Sequence, residues 1–201
     1  MSAESAIVAS LATEEWLAAT IHGLKCRRVD DRARLAMALF DLVHEYQSSI
    51  NTLLQTNRSG AAFALVRPLW ESFLRAYWLL HCATEEEVER FKQDQFNPRI
   101  APLVEAVEAH IDDDGGVLTG IKERYYGAMS SYTHGAFMQA VRRIGDGEIG
   151  GDRFTDQERA EVATVAHAWA LVAAWAMFLL AGRDDLAAET LDRVVAIPAV
   201  E

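Results

Sequence analysis

The chain predicts an all-α fold, a single-domain helical bundle of about seven or eight helices. Three observations carry this. Apolar residues recur at three- and four-residue spacing along nearly the whole sequence, strand-type alternation and turn dipeptides are sparse, and helix-start signatures of the Ser/Thr-x-x-Glu kind stand before several apolar runs. With 201 residues, half of them apolar, the chain is long enough for one sizeable core. The organisation read from the sequence is one domain over 1–201: a peripheral N-terminal helix in 1–22, a bundle core in 30–182, and a C-terminal helix and tail in 183–201.

Taken in order, a first helix is predicted from Ser5 to His22, with Ile7, Leu11, Leu17 and Ile21 inward and Gly23 as its stop. Asp30 or Asp31 caps a long second helix to about Gln55, whose stripe is Leu35, Leu39, Leu42, Val43, Tyr46, Ile50 and Leu53. The third runs from Ser59 to Cys82 with Pro68 inside it. A proline there removes one N–H and clashes with the carbonyl four residues back, so a kink or restart at Arg67 and a freed carbonyl near Ala64 are expected. Thr84 with Glu87 caps a short fourth helix, and Asn97-Pro98 opens a fifth that runs through His110. A sixth starts near Leu118, breaks at Gly135 and resumes through Ile144. GDGEIGGDRF is a loop, Thr155 with Glu158 launches a long Ala-rich seventh helix, and an eighth spans Asp184 to Val195. The acidic turn IDDDGG lacks the ligand spacing of a calcium loop and reads as solvated.

A net charge of −11 opposes a surface that tracks a nucleic-acid backbone. The basic pairs Arg27-Arg28 and Arg142-Arg143 read as solvated helix ends. Two cysteines, Cys26 and Cys82, support neither a disulfide framework nor a zinc knuckle, and the N-terminus has no basic segment of a secretory signal, so the expected location is cytoplasmic. Residues 162–182 carry no charge and are long enough to cross a bilayer, which gives a single-span membrane reading as an alternative. Their alanine content and the interruptions at Thr164 and His167 favour a buried core helix.

The polar residues that do not fit an apolar bundle are the informative ones. Arg67, Glu71 and Arg75 lie at strict four-residue steps on one stripe, flanked by Trp70, Phe73, Leu74, Trp78 and Leu79. One glutamate between two arginines leaves one surplus positive charge, to be balanced by Asp41, by solvent, or by a bound carboxylate or phosphate suited to the planar guanidinium fork. The segment Ser130-Ser131-Tyr132-Thr133-His134-Gly135 gathers hydroxyls and an imidazole as a second wall. The ligand-binding candidates are therefore Arg67, Glu71, Arg75, Tyr132 and His134, with His134 and Glu71 as an acid/base pair if they meet. A structural ion-pair ladder is the competing reading. No Glu-x-x-His pair, nucleophile elbow or phosphate loop is present, and the six histidines are scattered, so no metal and no cofactor is expected.

The pattern Arg67-Pro68, Glu71, Arg75, Trp78-Leu79, followed much later by Tyr132-x-His134-Gly135 and Arg142-Arg143, resembles an uncharacterised bacterial all-helical domain-of-unknown-function family. That resemblance implies a fold and no established activity. A looser one reaches the HEPN ribonucleases of toxin and phage-defence systems, which are helical dimers with an arginine four to six residues before a histidine. Arg75 and His81 in RAYWLLH fit the spacing, while Ala76 departs from the polar residue usual after the arginine. Two readings follow: a binding or regulatory domain, expected to be a homodimer, holding a small anionic ligand; or a metal-independent ribonuclease acting through Arg75 and His81, or His134, with RNA as partner in that case alone.

Overall fold

The computed structural model describes residues 2–28, 30–111, 116–145 and 148–197, Glu148 for its backbone alone. Nine helices are present among the described residues: α1 (Ala3–Ile21), α2 (Asp31–Gln55), α3 (Ser59–His81), α4 (Glu85–Lys92), α5 (Ile100–Ile111), α6 (Val117–Thr133), α7 (Phe137–Val141), α8 (Asp156–Ala181) and α9 (Asp184–Val195). Four of the starts follow from the side chain that caps them, at Ser2, Asp30, Thr84 and Thr155. The Asp30 carboxylate accepts the Ala33 amide at 2.8 Å, and full capping boxes stand at Thr84/Glu87 and Thr155/Glu158.

α2 and α3 form an antiparallel hairpin whose contact is the main core. Phe40, Val43 and Ile50 of α2 meet Leu69, Trp70, Leu74 and Leu79 of α3, all at most 1% exposed, and each such burial stabilises the fold by about 1.5–3 kcal/mol. α8 lies antiparallel to α2, with Arg27 N on Leu180 O at one end and Arg159 on Asn57 at the other. It is long and apolar enough to cross a membrane. In this fold 61% of its most apolar window is buried, against α1, α2, α3 and α9, as its many alanines allow. A smaller core of Leu17, Ala170, Ala174, Phe178 and Ala187 joins α1, α8 and α9.

Several expectations need correction. α3 does not restart at Arg67, since Pro68 is accommodated inside one continuous helix. α5 begins at Ile100, which leaves Asn97 outside it, and α7 ends at Val141. Where GDGEIGGDRF begins, a two-residue ladder forms, β1 (Ile144–Gly145) pairing antiparallel with β2 (Glu148–Ile149) in the register Ile144 to Ile149. The buried set of α1 is Ala3, Ala6, Ser10, Thr13 and Leu17; of the expected residues Leu17 is buried, Ile7 and Ile21 pack partly buried against the core, and Leu11 lies outside both sets. On α2 the buried set is Ala33, Ala36, Phe40, Val43, Gln47, Ile50, Asn51 and Leu54; it contains Val43 and Ile50 of the expected stripe, while Leu35, Leu39, Tyr46 and Leu53 pack partly buried against the core, because α1, α3 and α8 all cover this helix. Asp112 to Gly115, the heart of the acidic turn, lie outside the described residues.

Candidate functional site

The site begins with a missing hydrogen. Pro68 offers no N–H to the carbonyl of Ala64, and the hydroxyl of Thr133 reaches that carbonyl at 3.0 Å while also lying 2.9 Å from Met129 O. The end of α6 is thereby pinned to the middle of α3. α6 then stops in a Schellman turn: Ala136 N donates to Ser131 O and Gly135 N to Tyr132 O, with Gly135 at φ +64°. This makes His134 the cap residue and aims it at Arg67. α7 is held by Gln139, whose Nε2 donates to Gly60 O at 2.5 Å; a Cβ on Gly60 would lie 2.7 Å from the end of the Gln139 side chain, which would have to shift to make room.

At the centre lies Glu71. Its Oε1 accepts from Arg67 Nε at 2.7 Å and from the Tyr126 hydroxyl at 2.7 Å, and its Oε2 accepts from Arg75 Nη2 at 2.9 Å. Arg75 Nε donates to Asn97 Oδ1 at 2.8 Å, and the Arg67 guanidinium sits 4.8 Å over the Tyr126 ring. Arg67 Nη1 is 2.7 Å from His134 Nε2. A guanidinium only donates, so Nε2 accepts and the imidazole is the neutral tautomer protonated on Nδ1. The three charged side chains are 12–20% exposed. Burial pushes the Glu71 carboxyl upward, but the hydrogen bonds from Arg67, Tyr126 and Arg75 outweigh it and hold the group below the usual carboxylate range. Burial lowers Arg67 and pairing with Glu71 more than offsets it, while burial and the bond to Glu71 raise the Tyr126 phenol.

Of the residues expected at a site, Arg67, Glu71, Arg75 and His134 come together on one face of α3, though Arg67 stands between His134 and Glu71. Tyr132 does not join them; its ring packs against Phe63 and Phe154 at 5.0 and 5.9 Å. The hydroxyl at Glu71 belongs to Tyr126, which sequence reasoning missed. Its signal is the seven-residue step back from Thr133, two turns along the same stripe. Asn97 was missed as well. Asp41 is exposed on α2, where its charge acts on His44, and does not balance the arginines. His81 stacks with His110 at 5.0 Å and packs at a tilt against Tyr77 at 4.5 Å, whereas Arg75 bonds Glu71 and Asn97, so among the described residues the two share no hydrogen-bond partner. No group of three or more metal-ligating side chains exists among the described residues.

A second polar cluster, unforeseen from the sequence, fills the seam between α1, α2 and α8. Gln47 Nε2 donates to both the carbonyl and the hydroxyl oxygen of Ser10 at 3.0 Å, and Thr13 Oγ1 lies 2.8 Å from His167 Nε2. Glu14 accepts from Ser48 at 2.6 Å and from Asn51 at 2.8 Å. His44 Nε2 donates to Ala170 O at 3.0 Å, Nδ1 is buried without a partner among the described residues, and burial depresses the basicity of the ring. Asn51 Oδ1 and Thr164 Oγ1 are likewise buried without a partner among the described residues.

No curated protein and no solved structure matches the chain. A family of unknown function, DUF6988, matches residues 40–196, a span that takes in α3, α6 and every residue of the Arg67–Glu71–Arg75 cluster, and the chain belongs to that family.

Proposed function

We propose that this protein is a binding or regulatory domain whose α3–α6 face holds a small oxyanion, a carboxylate or a phosphate. One observation carries the reading: two guanidinium groups converge on a single carboxylate, so a positive charge remains uncompensated on a largely buried face. Among the described residues, Arg67 Nη2 and Arg75 Nη1 have no hydrogen-bond partner, and they supply the donors an oxyanion needs. Binding is favoured over catalysis because both proton-transfer candidates are engaged. Glu71 already accepts from three donors, and the His134 Nε2 lone pair is occupied by Arg67.

The test is thermal unfolding against inorganic phosphate and, separately, acetate, at ionic strength held constant with sodium chloride. A saturable rise in Tm with one of them is expected, weakened roughly tenfold in apparent affinity by Arg75→Lys, which keeps the charge and loses the fork. No rise with either anion, or an unchanged response in Arg75→Lys, would overturn the reading. A second copy of the chain belongs to the same proposal, supported by Phe137 and Ile149, which stand 73% and 92% exposed on neighbouring elements. Sedimentation of the protein beside Phe137→Glu checks it, with loss of a dimer expected in the variant.

A further inference from the structure

One residue decides whether the arginine cluster closes on itself. Arg67 and Arg75 are permanently charged, Glu71 is held ionised, and the Tyr126 phenol, raised by burial and by its bond to Glu71, stays neutral, so the cluster carries one positive charge net. Asn97 lies in the segment between α4 and α5, where the buried Pro98 after it favours extended backbone. Its Oδ1 accepts from Arg75 Nε at 2.8 Å, which fixes the amide orientation, because a guanidinium nitrogen only donates. An aspartate of the same shape would accept that bond with a full charge and close the ladder as a neutral ion-pair network. The chain places the isosteric amide there instead, so the acceptor is kept and the charge stays open. The open end is at Arg75. Tyr126 covers the Arg67 guanidinium at 4.8 Å and His134 takes its Nη1. Among the described residues no aromatic ring covers Arg75, its Nη1 keeps both hydrogens, and the exposed Asn97 brings this end to solvent with its own Nδ2 unpartnered.

We infer that the ligand of this face is a monocarboxylate bound at Arg75, and that Asn97 is the specificity-determining residue, because it leaves a single positive charge for the ligand to cancel. The inference rests on the oxyanion reading above and narrows it. A carboxylate brings one charge and two coplanar oxygens that match a guanidinium edge, and it neutralises the cluster. A phosphate dianion brings two charges, and one of them stays uncompensated on a face whose charged side chains are only 12–20% exposed.

Thermal unfolding of the full chain against acetate and against inorganic phosphate tests this, at a pH where phosphate is the dianion and with ionic strength held by sodium chloride. A saturable rise in Tm is expected with acetate, at least ~10-fold tighter in apparent affinity than with phosphate. Asn97→Asp keeps the acceptor for Arg75 and cancels the surplus. Its urea midpoint without anion is expected at or above that of the unaltered protein, and its acetate response at least ~10-fold weaker. Asn97→Ala removes the acceptor and keeps the surplus, and is expected to retain most of the response. Silence of the unaltered protein towards both anions would overturn the oxyanion reading and the inference with it. A phosphate response that matches or exceeds the acetate one, an acetate response that survives in Asn97→Asp, a fall in the urea midpoint of that variant, or an equal loss in Asn97→Ala would overturn the inference alone.

Discussion

The α3–α6 face and the α1–α2–α8 seam are both polar clusters inside an apolar bundle, and they solve the same problem in opposite ways. On the first, a carboxylate is shared by two guanidinium groups and a phenol, charge is in excess on the positive side, and every atom of Glu71 that can accept does so. On the second, neutral amides and hydroxyls carry most of the bonding, and among the described residues the carboxylate of Glu14 has no cationic partner and three buried polar atoms, on His44, Asn51 and Thr164, lack partners. The difference lies in what each arrangement tolerates. A network tied by charge-assisted bonds fails when its centre is removed, whereas a network of neutral bonds can lose or exchange one member and rearrange.

The comparison breaks most sharply at Glu71. Glu71→Ala leaves two neighbouring arginines repelling one another and the Tyr126 hydroxyl without its acceptor, and is expected to destabilise the fold by about 3 kcal/mol, read as a fall in the urea midpoint. Thr133→Val comes next. It strips the donor from the Ala64 carbonyl and should cost about 1–2 kcal/mol, and most of that cost should vanish in Pro68→Ala, where the helix supplies its own N–H.

Acid titration separates the clusters by pH window. The Glu71 carboxyl is held low in the fold, so its stabilisation is complete above the unfolded value near 4.5 and is lost as pH falls through the lowered folded value. His44 and His167 are depressed mainly by burial, so below about pH 6.5 the unfolded chain binds more protons and stability declines. Glu71→Gln should flatten the lower limb alone, in unfolding followed by circular dichroism. The smallest effect is expected at Glu14→Gln, within about 0.5 kcal/mol of the unaltered protein in urea, since the neutral network can re-pair.

Much of the first cluster is visible in the sequence, because it lies within one helix. Four-residue spacing places Arg67, Glu71 and Arg75 together whatever the rest of the fold does, and Pro68 identifies the Ala64 carbonyl as needing an outside donor. Which tyrosine reaches Glu71 was not visible. That depends on how α6 sits on α3, and choosing Tyr132 for its closeness in sequence to His134 ignores that residues two apart on a helix point to nearly opposite sides, about 200° around. The seam was missed for a related reason. Reading α1 by its large residues selects Ile7 and Leu11, while tight packing against an alanine-rich helix selects the small and polar stripe of Ala3, Ala6, Ser10 and Thr13. The spacing of His44, Gln47, Ser48 and Asn51 held the corresponding signal on α2.

The Ala64 carbonyl gives the bundle a means of alignment. α3 cannot complete its own ladder at that turn, so a hydroxyl arriving from residue 133 is selected over any slid arrangement of α6, in which the vacancy would persist. Apolar surfaces of leucine and alanine tolerate sliding by a turn; a single orphan oxygen does not. A local defect, written into the chain by one imino acid, thereby works as an index mark that fixes where a distant helix must stop.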